Sequence, residues 1–460
     1  MVRFISPFFR MALFLVLFAL VACSDDSSSS ASSEGVARYT VIIYGQNGGD
    51  MERSIEATMK DVRDVIGDEK DVRVLVVYKY GLDGKDFDGT MAYPGQLLFF
   101  ELTRNTDLSS MKDSAAIVKD SIKFYDPDYL ASVINYAHDS LPAQEYLFFL
   151  EAHGEGFSFE SDYPKSKRGS LAKQAVMSVM EDEWVTYGEY GYNESMTMEE
   201  FATGIKKSKI PHFKAILFHN CLMGNLESMQ EIYPYADYVM VSEHSLMTSR
   251  GELMTEIVDI LTHDEDGKFE EIVKGAFENR DVQVAWKTEY LPGEQNGDFQ
   301  FLKAEKLANL TPIVKRLSSR LVALYADEKM RPSIDVAADK CYRVANIYYL
   351  YDIRDYARKL AEETTDDSLV KISADLDNAF DSMTLARMEA HFAKDAPLDH
   401  FSLSVVLVDS ATYNSGMSFT KAKKRDSYEL TTFHKESGWG NWLNVNAHAP
   451  KGNPTGQDLL

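Results

Sequence analysis

Residues 147–156 read LFFLEAHGEG, and residues 215–227 read AILFHNCLMGNLE. Each opens on an apolar run of strand length. Each run then breaks off at a side chain capable of acid–base or nucleophilic chemistry, His153 in one and Cys221 in the other. A continuous apolar run suits a strand covered on both faces, as in a parallel sheet between two layers of helices. In open α/β sheets, ligand sites lie beyond the carboxyl ends of the strands, where both residues are expected.

The flanking sequence fits that sheet. YTVIIY at 39–44 and VRVLVVY at 72–78 are short runs rich in β-branched residues. Between them, residues 52–66 place Ile55, Met59, Val62 and Ile66 at helical spacing. The spacing predicts a hairpin over 90–104 around Pro94-Gly95, a helix over 127–140 and a core strand over 145–150. A helix follows at 197–208, with Thr197 and Glu200 at capping-box spacing. A strand is expected at 213–218, a helix at 224–232 and a strand at 237–242.

The second half is less regular. It predicts helices at 251–261 and 269–279, strands at 282–286 and 299–302, and one long helix over 304–327 ending before Pro332. Helices at 347–363 and 368–392 and a strand at 401–408 precede a tail rich in Trp and Asn. No internal repeat of useful period is visible.

With 460 residues, 45% of them hydrophobic, the chain is long enough to bury a large core. Its 72 acidic residues against 48 basic ones give a net charge of −24, which argues against a nucleic-acid partner.

The N-terminus reads as a targeting signal. Arg3 and Arg10 bracket its positive end, and residues 11–21 are apolar but short for a membrane span. The segment closes on Leu20-Val21-Ala22-Cys23, which resembles the lipobox of bacterial lipoproteins and implies lipidation at Cys23. Ser24 and the acids Asp25 and Asp26 resemble outer-membrane and surface-export signals, and a Ser-rich tether follows at 27–33. The domain plan is therefore a signal at 1–23, a tether at 24–36, a catalytic domain at 37–290, and a C-terminal region at 291–460 packed on or completing it. Of three cysteines, Cys23 is assigned to lipid. Cys341 is expected to be buried packing and Cys221 a free thiol.

A free thiol has a pKa of ~8.5 and reacts as the thiolate. His153 is placed to take the thiol proton and return it to a leaving amine. The segment from Gly224 is expected to aim helix N-terminal N–H groups at the sulfur. Gly154 and Gly156 are expected to leave room for a peptide, and the N–H groups of Gly154 and Cys221 to hold an oxyanion.

At this point the chain resembles the clostripain-like cysteine peptidases, relatives of caspases, legumain and gingipains. The resemblance rests on Gly45-Gln46-Asn47-Gly48-Gly49, His153-Gly154-Glu155-Gly156, Cys221-Leu222-Met223-Gly224 with Glu227, Tyr235-Ala236-Asp237-Tyr238 and Ser242-Glu243. YLYDIRDY at 349–356 and GWGNW at 438–442 extend it over most of residues 39–444. It implies a caspase-like α/β/α sandwich with a mostly parallel central sheet plus a C-terminal α/β extension. It also implies His153 as general base and acid, Cys221 as nucleophile and a peptide or protein substrate.

The family cleaves after Arg or Lys, with one acid commonly two residues before the nucleophile. Here that position is His219, and Arg250 stands where a second acid is expected. The expectation is an altered P1 preference, toward an acidic residue if Arg250 forks a carboxylate. Otherwise Glu243 or Glu252 fills the acidic role. His219, Glu243 and Arg250 are thus the candidate substrate-binding residues. The stretch at 165–169 (KSKRG) is a candidate maturation site. The residues specify no cofactor; Ca2+ is a candidate through Asp162, Glu181, Asp182 and Glu183, which lack the spacing of a defined calcium loop. The expected protein is a cysteine endopeptidase, lipid-anchored at the bacterial outer membrane or cell surface. The rival is a catalytically inactive clostripain-fold lipoprotein serving as a binding or adhesion module.

Overall fold

The computed structural model describes residues 36–46, 52–67, 71–79, 96–108, 116–117, 124–152, 154, 156, 180–187, 190–246, 251–264, 266–288, 296–344, 350–391, 399–411 and 428–448. Residues 1–35 are outside it, and with them Cys23 and the tether. His153, Arg250, Asp162, the turn at 94–95 and the 165–169 stretch also lie outside the described residues. All described residues belong to one unit, 36–460.

In chain order the strands are β1 (Ala37–Gln46), β2 (Val72–Lys79), β3 (Gln96–Leu102), β4 (Ala116–Ile117), β5 (Ala143–Glu151), β6 (Met180–Tyr187), β7 (Tyr190–Met196), β8 (Phe213–His219), β9 (Ala236–Val241), β10 (Asn296–Lys303), β11 (Leu350–Asp352), β12 (Thr384–His391) and β13 (Ser404–Val406). The helices used below are α1 (Glu52–Val65), α2 (Pro127–Ser140), α3 (Met198–Lys207), α4 (Leu226–Ile232), α5 (Glu252–His263), α6 (Phe269–Glu278), α7 (Arg280–Thr288), α8 (Ala304–Leu307), α9 (Leu310–Tyr325), α10 (Arg331–Lys340), α11 (Ile353–Thr364) and α12 (Asp367–Met383). Two short helices, α13 (Thr432–Ser437) and α14 (Trp439–Val445), close the described chain.

Nine strands form one sheet in the order β12-β10-β9-β8-β5-β1-β2-β3-β4. Its centre, β9-β8-β5-β1-β2, is parallel, and antiparallel strands finish both sides. The strand residues explain the layering. Phe148 and Leu150 point into one core with Ile42, Ile216 and Phe218, under α2, α3 and the C-terminal helices. Leu147 and Phe149 point the other way, with Val41, Ala215 and Leu217, under α1, α5, α6 and α7. Ile55, Met59, Val62 and Ile66 all enter this second core. Each such side chain contributes roughly 1.5–3 kcal/mol of burial. The result is the α/β/α sandwich that the apolar runs predict.

Several elements differ from the sequence expectation. Residues 282–286 are helical, inside α7, with Val282 and Trp286 buried one turn apart. The long helix over 304–327 is two helices, α8 and α9. The second ends at Tyr325, ahead of Pro332, which sits in the first turn of α10, where a missing N–H costs nothing. Residues 384–391 leave α12 as β12, an edge strand beside β10. The expected strand at 401–408 pairs only over Ser404–Val406, with β11 in a separate two-stranded sheet. The segment after residue 290 thus adds β10 and β12 to the main sheet. Among the described residues no helix is long and apolar enough to cross a membrane.

Candidate active site

β5 and β8 lie side by side in parallel, with Leu147 opposite Ala215 and Glu151 opposite His219. This register brings the two strand ends level. Just beyond them, the Asn220 amide Nδ2 donates to the Ala152 carbonyl at 2.8 Å, inside the buried core. A Cβ on Gly154 would lie 2.2 Å from the Cys221 carbonyl oxygen and 3.0 Å from the Cys221 nitrogen. A Cβ on Gly156, at φ +61°, would lie 2.8 Å from the Leu222 carbonyl oxygen. The residues on either side of position 153 are therefore clasped to Asn220 and Cys221. On its Cβ side Gly154 is filled by the Cys221 backbone, and Gly156 by Leu222.

Cys221 is a free, half-buried thiol, and its Sγ donates to the Leu246 carbonyl at 3.3 Å. Cys341 is also free and buried, and burial pushes its thiol well above the ordinary range. The residue after Cys221, Leu222, holds φ +62°, a left-handed conformation that a branched side chain resists. Its N–H donates to the His244 carbonyl at 2.9 Å, and the Gly224 N–H donates to the Ser242 carbonyl at 2.6 Å. The Asn225 N–H donates to the Met223 carbonyl at 2.9 Å, and the seven-residue α4 is capped by Asn225, whose Oδ1 accepts from the Ser228 N–H at 2.8 Å.

The 242–244 loop is itself braced by Asp298 on β10. Asp298 Oδ1 accepts from the backbone N–H groups of Glu243 at 2.9 Å and His244 at 3.2 Å, and from His244 Nδ1 at 2.8 Å. Gln300 Nε2 donates to Oδ2 at 2.7 Å. A carboxylate only accepts, so His244 Nδ1 carries a proton. Tyr342 O–H accepts from Asn296 at 3.0 Å and reaches His244 Nε2 at 2.7 Å. This chain links β10, the loop and the strand end that carries Cys221.

Glu243 lies fully buried in this region. Burial, then the Asp352 and Asp298 carboxylates, push its carboxyl well above the ordinary range. Asp352 is pushed up to about 6, chiefly by burial. Asp352 accepts from Ser402 N–H at 2.9 Å and Oγ at 2.8 Å. Glu243 is thus a buried carboxyl beside two other carboxylates.

His219 points to the face opposite Phe218, with its Nδ1 3.5 Å from Glu151 Oε1. Glu151 also accepts from Thr58 of α1 at 3.1 Å. Glu227, the second residue of α4, is fully buried on the other face. Its Oε1 accepts from Val406 N–H at 3.1 Å and Tyr428 O–H at 2.8 Å. Trp439 donates to the Val406 carbonyl at 2.6 Å, so the closing Trp-rich segment is core that backs α4.

Among the described residues no group of three His, Cys, Asp or Glu side chains is placed to hold a metal ion. Asp162 lies outside them, and Glu181, Asp182 and Glu183 of β6 are described for backbone alone. The described site offers no calcium cradle. Asn220, Asp298 and Leu246 were not visible as site residues from sequence. Asn220 was the one with a signal, an amide between a buried strand and a candidate nucleophile.

The sequence matches the clostripain family, peptidase C11, over residues 43–443. The chain belongs to the clostripain family. It is by that membership a cysteine peptidase, a hydrolase. Solved structures of C11 proteases share the fold of this clostripain-family chain. A secreted C11 cysteine protease from Bacteroides thetaiotaomicron, solved with an irreversible peptide inhibitor, has 12% identity and a TM-score of 0.55, covering 88% of this chain and 99% of its own. A second from the same organism, iotapain, has 14% identity and a TM-score of 0.50, covering 87% and 99%. An inactive zymogen C11 protease from Parabacteroides distasonis has 16% identity and a TM-score of 0.51, covering 88% and 99%. Among curated proteins, none matches the sequence.

Proposed function

We propose that the clostripain-family chain is an endopeptidase that cuts peptide bonds through a Cys221–His153 dyad. The observation that supports this reading best is the clasp of Asn220 and Cys221 against Ala152 and Gly154. It fixes the backbone on both sides of position 153 at the nucleophile. In this reading His153 takes the Cys221 proton, and the thiolate attacks the scissile carbonyl carbon. The N–H groups of Gly154 and Cys221 hold the oxyanion. The intermediate collapses to a thioester as the amine leaves with the proton from His153. Water, activated by His153, then releases the acid and restores the thiol.

The chain is carried, in this reading, on a lipid at Cys23 at the bacterial outer membrane or cell surface. The apolar segment ending in Leu20-Val21-Ala22-Cys23 supports that placement. His219 in place of the usual acid supports a P1 preference altered from Arg and Lys.

Hydrolysis of a mixed peptide library tests the dyad. Cys221→Ala and His153→Ala are each expected to lose at least about 1,000-fold in rate while keeping the wild-type melting temperature. Full activity in either variant contradicts the reading. For the anchor, a clickable fatty-acid label is expected on wild type and absent from Cys23→Ala.

A further inference from the structure

We propose that the pocket beside Cys221 selects an uncharged apolar P1 side chain, such as Leu or Met. The inference rests on the peptidase reading above and names the substrate class of that site.

Two contacts place the pocket at the nucleophile. Leu246, whose carbonyl receives the Cys221 thiol, forms part of its wall. His219, two residues before Cys221 on the same strand end, forms another part. A side chain entering here belongs to the residue whose carbonyl meets the sulfur.

The wall is carbon. Leu217 comes from β8, Leu253 from α5, Val282 and Trp286 from α7, and Phe299 from β10. Every one of these five is less than one-tenth exposed. These five side chains reward apolar surface and offer a charged head no partner of their own. The polar side chains among the described lining are His219 and Glu252. Glu252 is the first residue of α5, where a negative charge also complements the helix dipole. His219 has Glu151 behind it, a fully buried carboxylate that does not line the pocket. An imidazole stands where a cationic P1 residue needs an anion: neutral it contributes no charge, and protonated it repels.

The test uses the full chain and fluorogenic peptides that differ only at P1: Leu, Met, Ala, Arg, Lys and Asp. In parallel, an iodoacetamide-type probe counts reactive Cys221. Leu and Met are expected to exceed Ala, Arg, Lys and Asp by at least about 10-fold in kcat/KM. Val282→Phe, which fills the pocket, is expected to cut the Leu-to-Ala ratio by about 10-fold. His219→Asp is expected to raise Arg and Lys cleavage relative to Leu. Best cleavage after Arg or Lys overturns the inference and makes Glu252 the reading group. Best cleavage after Asp overturns it in favour of Arg250. Labelled Cys221 with no P1 dependence overturns it and leaves the peptidase reading standing. Unlabelled Cys221 with no cleavage of any peptide overturns both.

Discussion

Asn220 reaches from the end of β8 to the end of β5, and its amide donates to the Ala152 carbonyl at 2.8 Å. The bond joins the residue before Cys221 to the residue before His153. Asn220→Ala removes the donor and leaves a buried carbonyl without it, a cost of about 1–3 kcal/mol. The variant is expected to fold with a lowered melting temperature and to lose at least about 10-fold in kcat, with a smaller change in KM. Steady-state kinetics check this; a melting shift with unchanged kcat would show the bond to be structural alone.

Gly154→Ala attacks the same junction from the other side. A new Cβ there would sit 2.2 Å from the Cys221 carbonyl oxygen, far inside contact distance. Backbone must shift on one strand end or the other, because no flexible side chain is available to yield. The expected result is an inactive protein whose Cys221 no longer reacts with a thiol probe at the wild-type rate. Wild-type labelling kinetics in Gly154→Ala would rule out the close approach.

Asp298 braces the 242–244 loop, which in turn holds Leu222 and Gly224. Asp298→Ala strips acceptors from two backbone N–H groups and from His244 in a buried site. The expected loss is on the order of 2–4 kcal/mol of stability, read as a shift in denaturant midpoint. Asp298→Asn keeps one acceptor oxygen and is expected to recover part of it.

Glu227 carries a stability penalty that depends on pH. Burial raises its carboxyl from 4.5 to about 7, more than its bonds to Val406 and Tyr428 lower it. Below pH 4.5 the folded and unfolded chains both hold the proton, and no penalty exists. As pH rises toward 7 the unfolded chain releases its proton first, so stability falls. Above 7 the penalty is complete, on the order of 3 kcal/mol. Glu227→Gln keeps an acceptor for Tyr428 and removes the charge. Its melting temperature is expected to exceed wild type at pH 8 and to converge with it near pH 4.5. Parallel melting curves across pH 4.5–8 would refute the assignment.

What sequence shows of this molecule follows from how local each signal is. β1, β2, β5 and β8 are legible because strands covered on both faces read as unbroken apolar runs, and His153 and Cys221 stand where two runs stop. Short runs are ambiguous. Val282 to Trp286 fits a strand by composition, yet its two buried residues are a helical turn apart. β12 is hidden because it follows α12 without a break and takes its strand state from pairing with β10. The same distinction holds at the site. Asn220 lies beside Cys221 in the chain and is findable, whereas Asp298 and Leu246 reach Cys221 only through the fold. Gly154 shows as a glycine, but that Cys221 fills the space beside it is a tertiary fact.

The most direct test of the central claim is intact-mass spectrometry of the full chain after treatment with a peptidyl acyloxymethyl ketone bearing Leu at P1. The account predicts a single adduct that maps to Cys221, is absent from Cys221→Ala, and forms far more slowly in His153→Ala. An adduct on Cys341, or labelling of Cys221 at an equal rate without His153, would contradict it.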